Sequence, residues 1–200
     1  SPRTVTERFD LPLKFLTYPS QLWAHKNHRT VVAALSLLRA RGRTDVVLVC
    51  TGREYDYRHP EFADELKEEI ARRGLQPQVR LLGLLDRPTQ IQVMRASAAV
   101  VQASFFEGWS ALVEDSRALG KRIFVSDIPV HREQDPDDAA YFNPDSAEEL
   151  ADVIEADWAH LEPGPDLGRE HDAQEKQQGL TDDFARRFVE IVGRAVPSRQ

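Results

Sequence analysis

Ser104 to Gly120, SFFEGWSALVEDSRALG, decides how the rest of the chain is read. Just before it, the apolar run Ala98 to Ala103 reads as a buried strand. A glycine-containing turn follows, then a helix in which Leu112, Ser116 and Leu119 recur at helical spacing. The unit is therefore a strand, a tight loop and a helix N-terminus. Amides left unpaired in a first helical turn, at the positive end of the helix dipole, make such a junction a seat for an anion such as a diphosphate. Glu107 stands in the loop and Asp115 lies one turn into the helix.

The string EGWSALVED, followed by ALG and then SDIPVHREQ, resembles the donor-binding signature of retaining glycosyltransferases of family four. That signature carries two acids eight positions apart, here Glu107 and Asp115. The family usually has Glu at the second place, so Asp115 is one methylene shorter. Glu114 is the other acid within reach. It shares its helix face with Ser110, Arg117 and Lys121, however, whereas Asp115 falls on the Leu112 and Leu119 stripe. An acid on the buried side needs a hydrogen-bonding partner. The resemblance implies one for Asp115, the ribose hydroxyls of a nucleotide sugar, and implies that Glu107 contacts the sugar ring.

The resemblance extends to AHKNH, where Lys26 matches the family lysine that neutralises the donor diphosphate. A cation just before a helix N-terminus is well placed for phosphate. Many relatives carry an arginine about five residues earlier, but Gln21 stands there. Phosphate binding then rests on Lys26 and on the backbone around Gly108, Trp109 and Ser110. The implied reaction is metal-independent, with Glu107 and Lys26 in the catalytic roles. Its co-substrate is a nucleoside diphosphate sugar, its group transferred is hexosyl-type, and no cofactor is involved.

Composition narrows the alternatives. Two hundred residues support one domain with a substantial core. A net charge of −7, with no basic stripe interleaved with aromatics, opposes nucleic-acid binding. No apolar stretch approaches the roughly 20 residues needed to span a bilayer. The single cysteine, Cys50, sits inside the apolar run VVLVC and reads as a small buried hydrophobe in a reducing, cytoplasmic setting. HExxH, paired CxxC and Asp-x-Asp patterns are absent, so the sequence offers no metal site. The opening SPRTVTERFD lacks an initiator Met, and the expectation is a piece of a longer chain.

Taken in order, strands are expected at 14–19, 45–52, 79–83, 98–103, 122–126 and 139–142. Between them, Asn27 is placed to cap a helix through Arg41 that Gly42 stops, Pro60 opens another, and Asp86 with Pro88 starts a third. Ser146 and Glu149 form a capping-box pattern ahead of a helix burying Leu150, Val153, Ile154 and Trp158. His131 and Glu133 share one loop with no nucleophile at a recognisable spacing, and are read as structural. EPGPDLG is a break, and 166–179 reads as mobile or weakly helical. From Thr181 an amphipathic helix carries Phe184, Phe188, Ile191 and Val192. That stripe packs either on this domain or on a part of the parent chain.

Six apolar strands alternating with helices argue for an α/β fold, a Rossmann-like doubly wound parallel sheet. Right-handed crossovers gather the strand-to-helix loops at one sheet edge, so Lys26, Glu107 and Asp115 converge without appeal to any family. The expected division is a nucleotide-sugar-binding domain over 1–162, then a polar linker and terminal helix over 163–200. The resemblance, over roughly 11–161, implies the carboxyl-terminal half of a GT-B glycosyltransferase. The acceptor, a glycan, lipid-linked sugar or small molecule, would then be held by an amino-terminal domain absent from this chain. Two other readings stay open. One is a nucleotide-sugar epimerase, against which EGWSALVED speaks; the other is a nucleotide-binding module without catalysis, motivated by Asp115 and Gln21.

Overall fold

The computed structural model describes residues 1–195. Six strands form one parallel sheet: β1 (Leu16–Pro19), β2 (Leu48–Thr51), β3 (Val79–Leu81), β4 (Ala99–Gln102), β5 (Ile123–Ser126) and β6 (Ala139–Phe142). Their spatial order is β3-β2-β1-β4-β5-β6, every neighbouring pair running parallel. β1, β2, β4 and β5 are buried along their whole length, as a sheet covered on both faces requires. Leu48 and Cys50 face the larger core, whereas Val49 between them joins the smaller one, so successive residues of β2 serve opposite faces.

The larger core receives α2 (His28–Ala40), α3 (Phe62–Arg72) and α7 (Ala147–Trp158), through residues such as Leu35, Leu66 and Ile154. On the smaller one, α1 (Pro2–Arg8) packs against α4 (Arg87–Ala96), with Val5, Val93 and Ala96 over Phe15 and Val49. α5 (Ala111–Ala118) follows β4, and a short α6 (Pro129–Gln134) lies between β5 and β6. α1 and α6 were not expected from the sequence, because seven and six residues are too few to display a helical period.

Two further expectations are revised. Of the two expectations for 166–179, mobile or weakly helical, the helical one holds, and no separate helix begins at Thr181, since α8 runs unbroken from Leu167 to Ala195. Its first turns are anchored: both oxygens of Glu170 accept from Arg95, at 2.7 and 2.9 Å. Lys176 reaches Asp137 at 2.5 Å. The stripe of Phe184, Phe188, Ile191 and Val192 stays exposed. Asn27 does precede α2, but its backbone is left-handed (φ 58°) and its side chain makes no capping bond. Among the described residues no helix is long and apolar enough to cross a membrane.

Candidate functional site

The sheet order reverses direction between β1 and β4, and a crevice opens beyond the carboxyl ends of the strands at such a point. The loops after these two strands are tied together there. The Phe105 amide donates to the His25 carbonyl at 2.9 Å, and the His25 and Phe106 rings stack with centroids 4.6 Å apart. Asn27 Nδ2 donates to the carbonyls of Ala103 (3.1 Å) and Pro144 (2.8 Å), which explains why it does not cap. The buried Tyr18 hydroxyl donates to the Lys26 carbonyl at 2.5 Å. Gly52, at φ 142°, lets the end of β2 approach as well, because a Cβ there would lie 2.3 Å from the Ser20 carbonyl oxygen.

These ties bring two side chains distant in sequence into contact. Lys26 Nζ lies 2.5 Å from Glu107 Oε1. The same oxygen accepts from Ser104 Oγ at 2.6 Å and from Gln102 Nε2 at 3.1 Å. No partner among the described residues bonds Oε2 of Glu107. Burial of Glu107 opposes its ionisation, but the hydrogen bonds from Lys26 and Ser104 and the charge of Lys26 outweigh that and hold its carboxyl below the ordinary range. The carboxylate is thus ionised, fixed at one oxygen and open at the other.

Glu107 and Lys26 line a cavity of about 300 Å³ together with Gln21, Gln102, Trp109 and Ser110. Gly108 is exposed beside it and is not part of its wall. The N-terminus of α5 closes one side. Ser110 caps that helix, its Oγ accepting from the Val113 amide at 3.4 Å, but its own amide donates to Gln134 Oε1 at 3.1 Å and so is already taken. The amides of Ala111 and Leu112, both in the cavity wall, have no partner among the described residues. The Trp109 amide, also from a residue of the cavity wall, has no partner among the described residues either, so of the amides in EGWS that border the cavity only that of Ser110 is engaged.

The two neighbouring acids of α5 separate. Asp115 is half-buried, beside rather than within the fully buried set Leu112, Val113 and Ser116, and is ion-paired with Arg87 of α4. That side carries Gln90 and Leu85 of the cavity wall, although Asp115 itself does not line the cavity. Glu114 points the other way, accepting from Gln134 Nε2 at 2.8 Å and Arg117 at 2.6 Å. Gln21 uses its Oε1 to accept the Arg53 amide at 2.6 Å. His131 is buried, with Nδ1 2.8 Å from the Ser126 carbonyl, while Glu133 is exposed. Among the described residues no three His, Cys, Asp or Glu side chains gather to hold a metal ion.

Gln102, Ser104 and Gln134 escaped the sequence reading. Only Gln102 left a signal there, a polar residue inside the apolar run Ala98 to Ala103. The other two become visible only once the loop after β4 is folded.

Comparison with known proteins bears on the family and the fold. A sequence model of the family described as glycosyl transferases group 1 matches residues 6–159. Among solved structures, a glycosyltransferase from Rickettsia africae is similar over 99% of this chain and 52% of its own, at 23% identity and a TM-score of 0.76. Anabaena HepE, solved in complex with UDP, matches 92% of this chain and 53% of its own, at 17% identity and a TM-score of 0.72. The C-terminal domain of a glycosyl transferase group 1 family protein from Francisella tularensis matches 92% of this chain and 93% of its own, at 19% identity and a TM-score of 0.68. The chain thus spans about half the length of the first two. No protein of curated function matches. The six-stranded parallel sheet corresponds to the carboxyl-terminal domain of GT-B glycosyltransferases. By the extent of the family match, this chain belongs to the glycosyl transferases of group 1.

Proposed function

We propose that the chain is the donor-binding half of a retaining, metal-independent glycosyltransferase of family four, of the type with paired acids eight residues apart. It takes a nucleoside diphosphate sugar, and the parent protein moves a hexosyl-type group to a hydroxyl of an acceptor glycan, lipid-linked sugar or small molecule. The observation that carries this reading is the Lys26–Glu107 contact at the mouth of a cavity closed by the N-terminus of α5. A related fold, that of Anabaena HepE, has been solved in complex with UDP-glucose.

In this proposal Lys26 and the amides of Ala111 and Leu112 take the diphosphate, supported by the turn at Gly108, Trp109 and Ser110. Charge accumulates on the diphosphate as its bond to the anomeric carbon breaks, and fixed donors stabilise it without reorganising. Glu107 receives sugar hydroxyls at its open Oε2, and Asp115 receives the ribose hydroxyls once Arg87 yields it. The test is calorimetric titration with UDP, GDP, dTDP and ADP, with and without a chelator. Replacing Lys26 by Ala is expected to weaken the nucleotide that binds by about tenfold or more, the scale of a charged hydrogen bond, with no effect of the chelator. Undiminished binding by the Lys26→Ala variant, or a requirement for a divalent ion, would remove the basis of this assignment.

A second reading, a nucleotide-binding module without catalysis, is favoured by Gln21 and Asp115. The one is an uncharged residue whose oxygen is already engaged. The other is a shorter acid held by Arg87. Binding without turnover by the parent protein would select it.

A further inference from the structure

We infer that Gln102 is a positioning residue that sets the sugar-facing carboxylate and the phosphate-facing helix end at a fixed spacing. This rests on the donor-binding reading above. Gln102 ends β4, where its neighbours in the sheet hold it in register with Val125 of β5, and it is buried. Its carboxamide nitrogen has two hydrogens, and each goes to a different part of the site. One is donated to Glu107 Oε1 at 3.1 Å and the other to Ser110 Oγ at 2.7 Å. Ser110 Oγ is the cap of α5, the helix whose first amides face the cavity. A planar amide fixes the angle between its two N–H bonds, so Glu107 and the helix end cannot move independently while both bonds persist.

The turn itself does not depend on Gln102. Gln134 holds it from the opposite side, accepting the Ser110 amide at 3.1 Å and donating to the Ser110 carbonyl at 2.9 Å. Gln134 touches neither Glu107 nor the Ser110 hydroxyl. One glutamine therefore shapes the backbone of the loop, and the other aligns the two groups that meet the ligand. A buried amide in an otherwise apolar strand costs stability unless satisfied. Here its satisfied donors end on site groups.

The test uses the chain as it stands, with Gln102→Met and Gln102→Leu, which preserve bulk and remove both donors. Each is titrated with UDP, GDP, dTDP and ADP and with the glucose and mannose diphosphate sugars of these nucleotides, and its melting temperature is recorded. The quantity read is the ratio of affinities for a nucleotide sugar and its free nucleotide. With melting close to that of the unaltered chain, this ratio is expected to shrink by about tenfold, the equivalent of one hydrogen bond to a charged group. In a Glu107→Ala background the same substitution should leave the ratio unchanged, because the group being aligned is gone. An unaltered ratio in both Gln102 variants, or an equal loss in the Glu107→Ala background, overturns the inference alone. Failure of the unaltered chain to bind any of these nucleotides overturns it together with the donor-binding reading.

Discussion

His28, the first residue of α2, sits beside the candidate site with its ring stacked on Tyr18 at 4.5 Å. Both of its ring nitrogens are buried and have no hydrogen-bond partner among the described residues. Burial, reinforced by the charge of Lys26, pushes its pKa down to about 3. The unfolded chain takes up that proton near pH 6.5, the ordinary value, so between pH 6.5 and about 3 the unfolded state binds more protons than the folded one. Stability from this group is therefore complete above pH 6.5 and is lost as pH falls, with a slope approaching 1.4 kcal/mol per pH unit. His131, lowered by burial in spite of its bond to the Ser126 carbonyl, adds in the same direction. Glu107, held below the ordinary carboxylate range, contributes stability that is lost at still lower pH. Melting temperatures measured from pH 7 to pH 4 should therefore fall, and His28→Phe should flatten part of that fall. An identical acid slope in the variant would show that the buried imidazole is not responsible. Lys26 and Glu107 could be singled out in the sequence because AHKNH and EGWSALVED resemble a donor-binding signature, whereas their contact at 2.5 Å is visible only in the fold. Gln102 was not, because an amide acquires a role only through what folding places at its two hydrogens.

The elements were legible in proportion to their apolar content. The four inner strands stand out because a strand covered on both faces is largely apolar, and all six segments, the edge strands β3 and β6 included, fall within their expected bounds. α8 was misread for the complementary reason. Its first turns are polar, and what holds them is tertiary: the bidentate Arg95–Glu170 pair, and the close packing of Gly120 (φ 58°) against Arg169, whose Cβ would lie 2.7 Å from any Cβ at that position. Those contacts end early in the helix. Beyond Gln178 the side chains of Leu180, Phe184, Phe188 and Ile191 are all exposed. Removing residues 179–200 is accordingly expected to shift the melting temperature by no more than about 2 °C, since surface changes are worth within about 0.5 kcal/mol. It should also reduce self-association, because a contiguous exposed apolar stripe is lost. A large fall in melting temperature on truncation would mean that the distal stripe supports the domain. The capping pattern at Ser146 shows a similar limit. Ser146 does accept the Glu149 amide, at 3.1 Å, but Glu149 reaches past it to the Asn143 amide at 2.8 Å.

At the scale of the whole molecule, the cavity lies at the carboxyl edge of the sheet, with the exposed Trp109 in its wall. The groups proposed to meet the diphosphate and the sugar come from the segments after β1 and β4, while Thr51 and Gly52 at the end of β2 and Leu85 and Gln90 beyond β3 complete the cavity wall. The chain spans 52% of the length of the similar Rickettsia structure and 93% of the isolated Francisella domain; in the proposed reading it is one half of a two-part active site. Transfer requires the acceptor hydroxyl beside the anomeric carbon, and such positioning accounts for up to roughly 7–11 kcal/mol of barrier lowering. Closure is also needed to exclude water from the breaking bond, and a single half has nothing to close against. The chain alone is therefore expected to bind nucleotide sugar without transferring it, whereas a parent protein containing both halves does transfer. Labelled nucleotide sugars incubated with each form and with acceptor extracts would decide the matter. Labelled product from the 200-residue chain alone would contradict the division of labour, because one half would then be holding both substrates. A parent protein that binds donor and yields no product would point instead to a module that has kept the diphosphate seat and lost the chemistry.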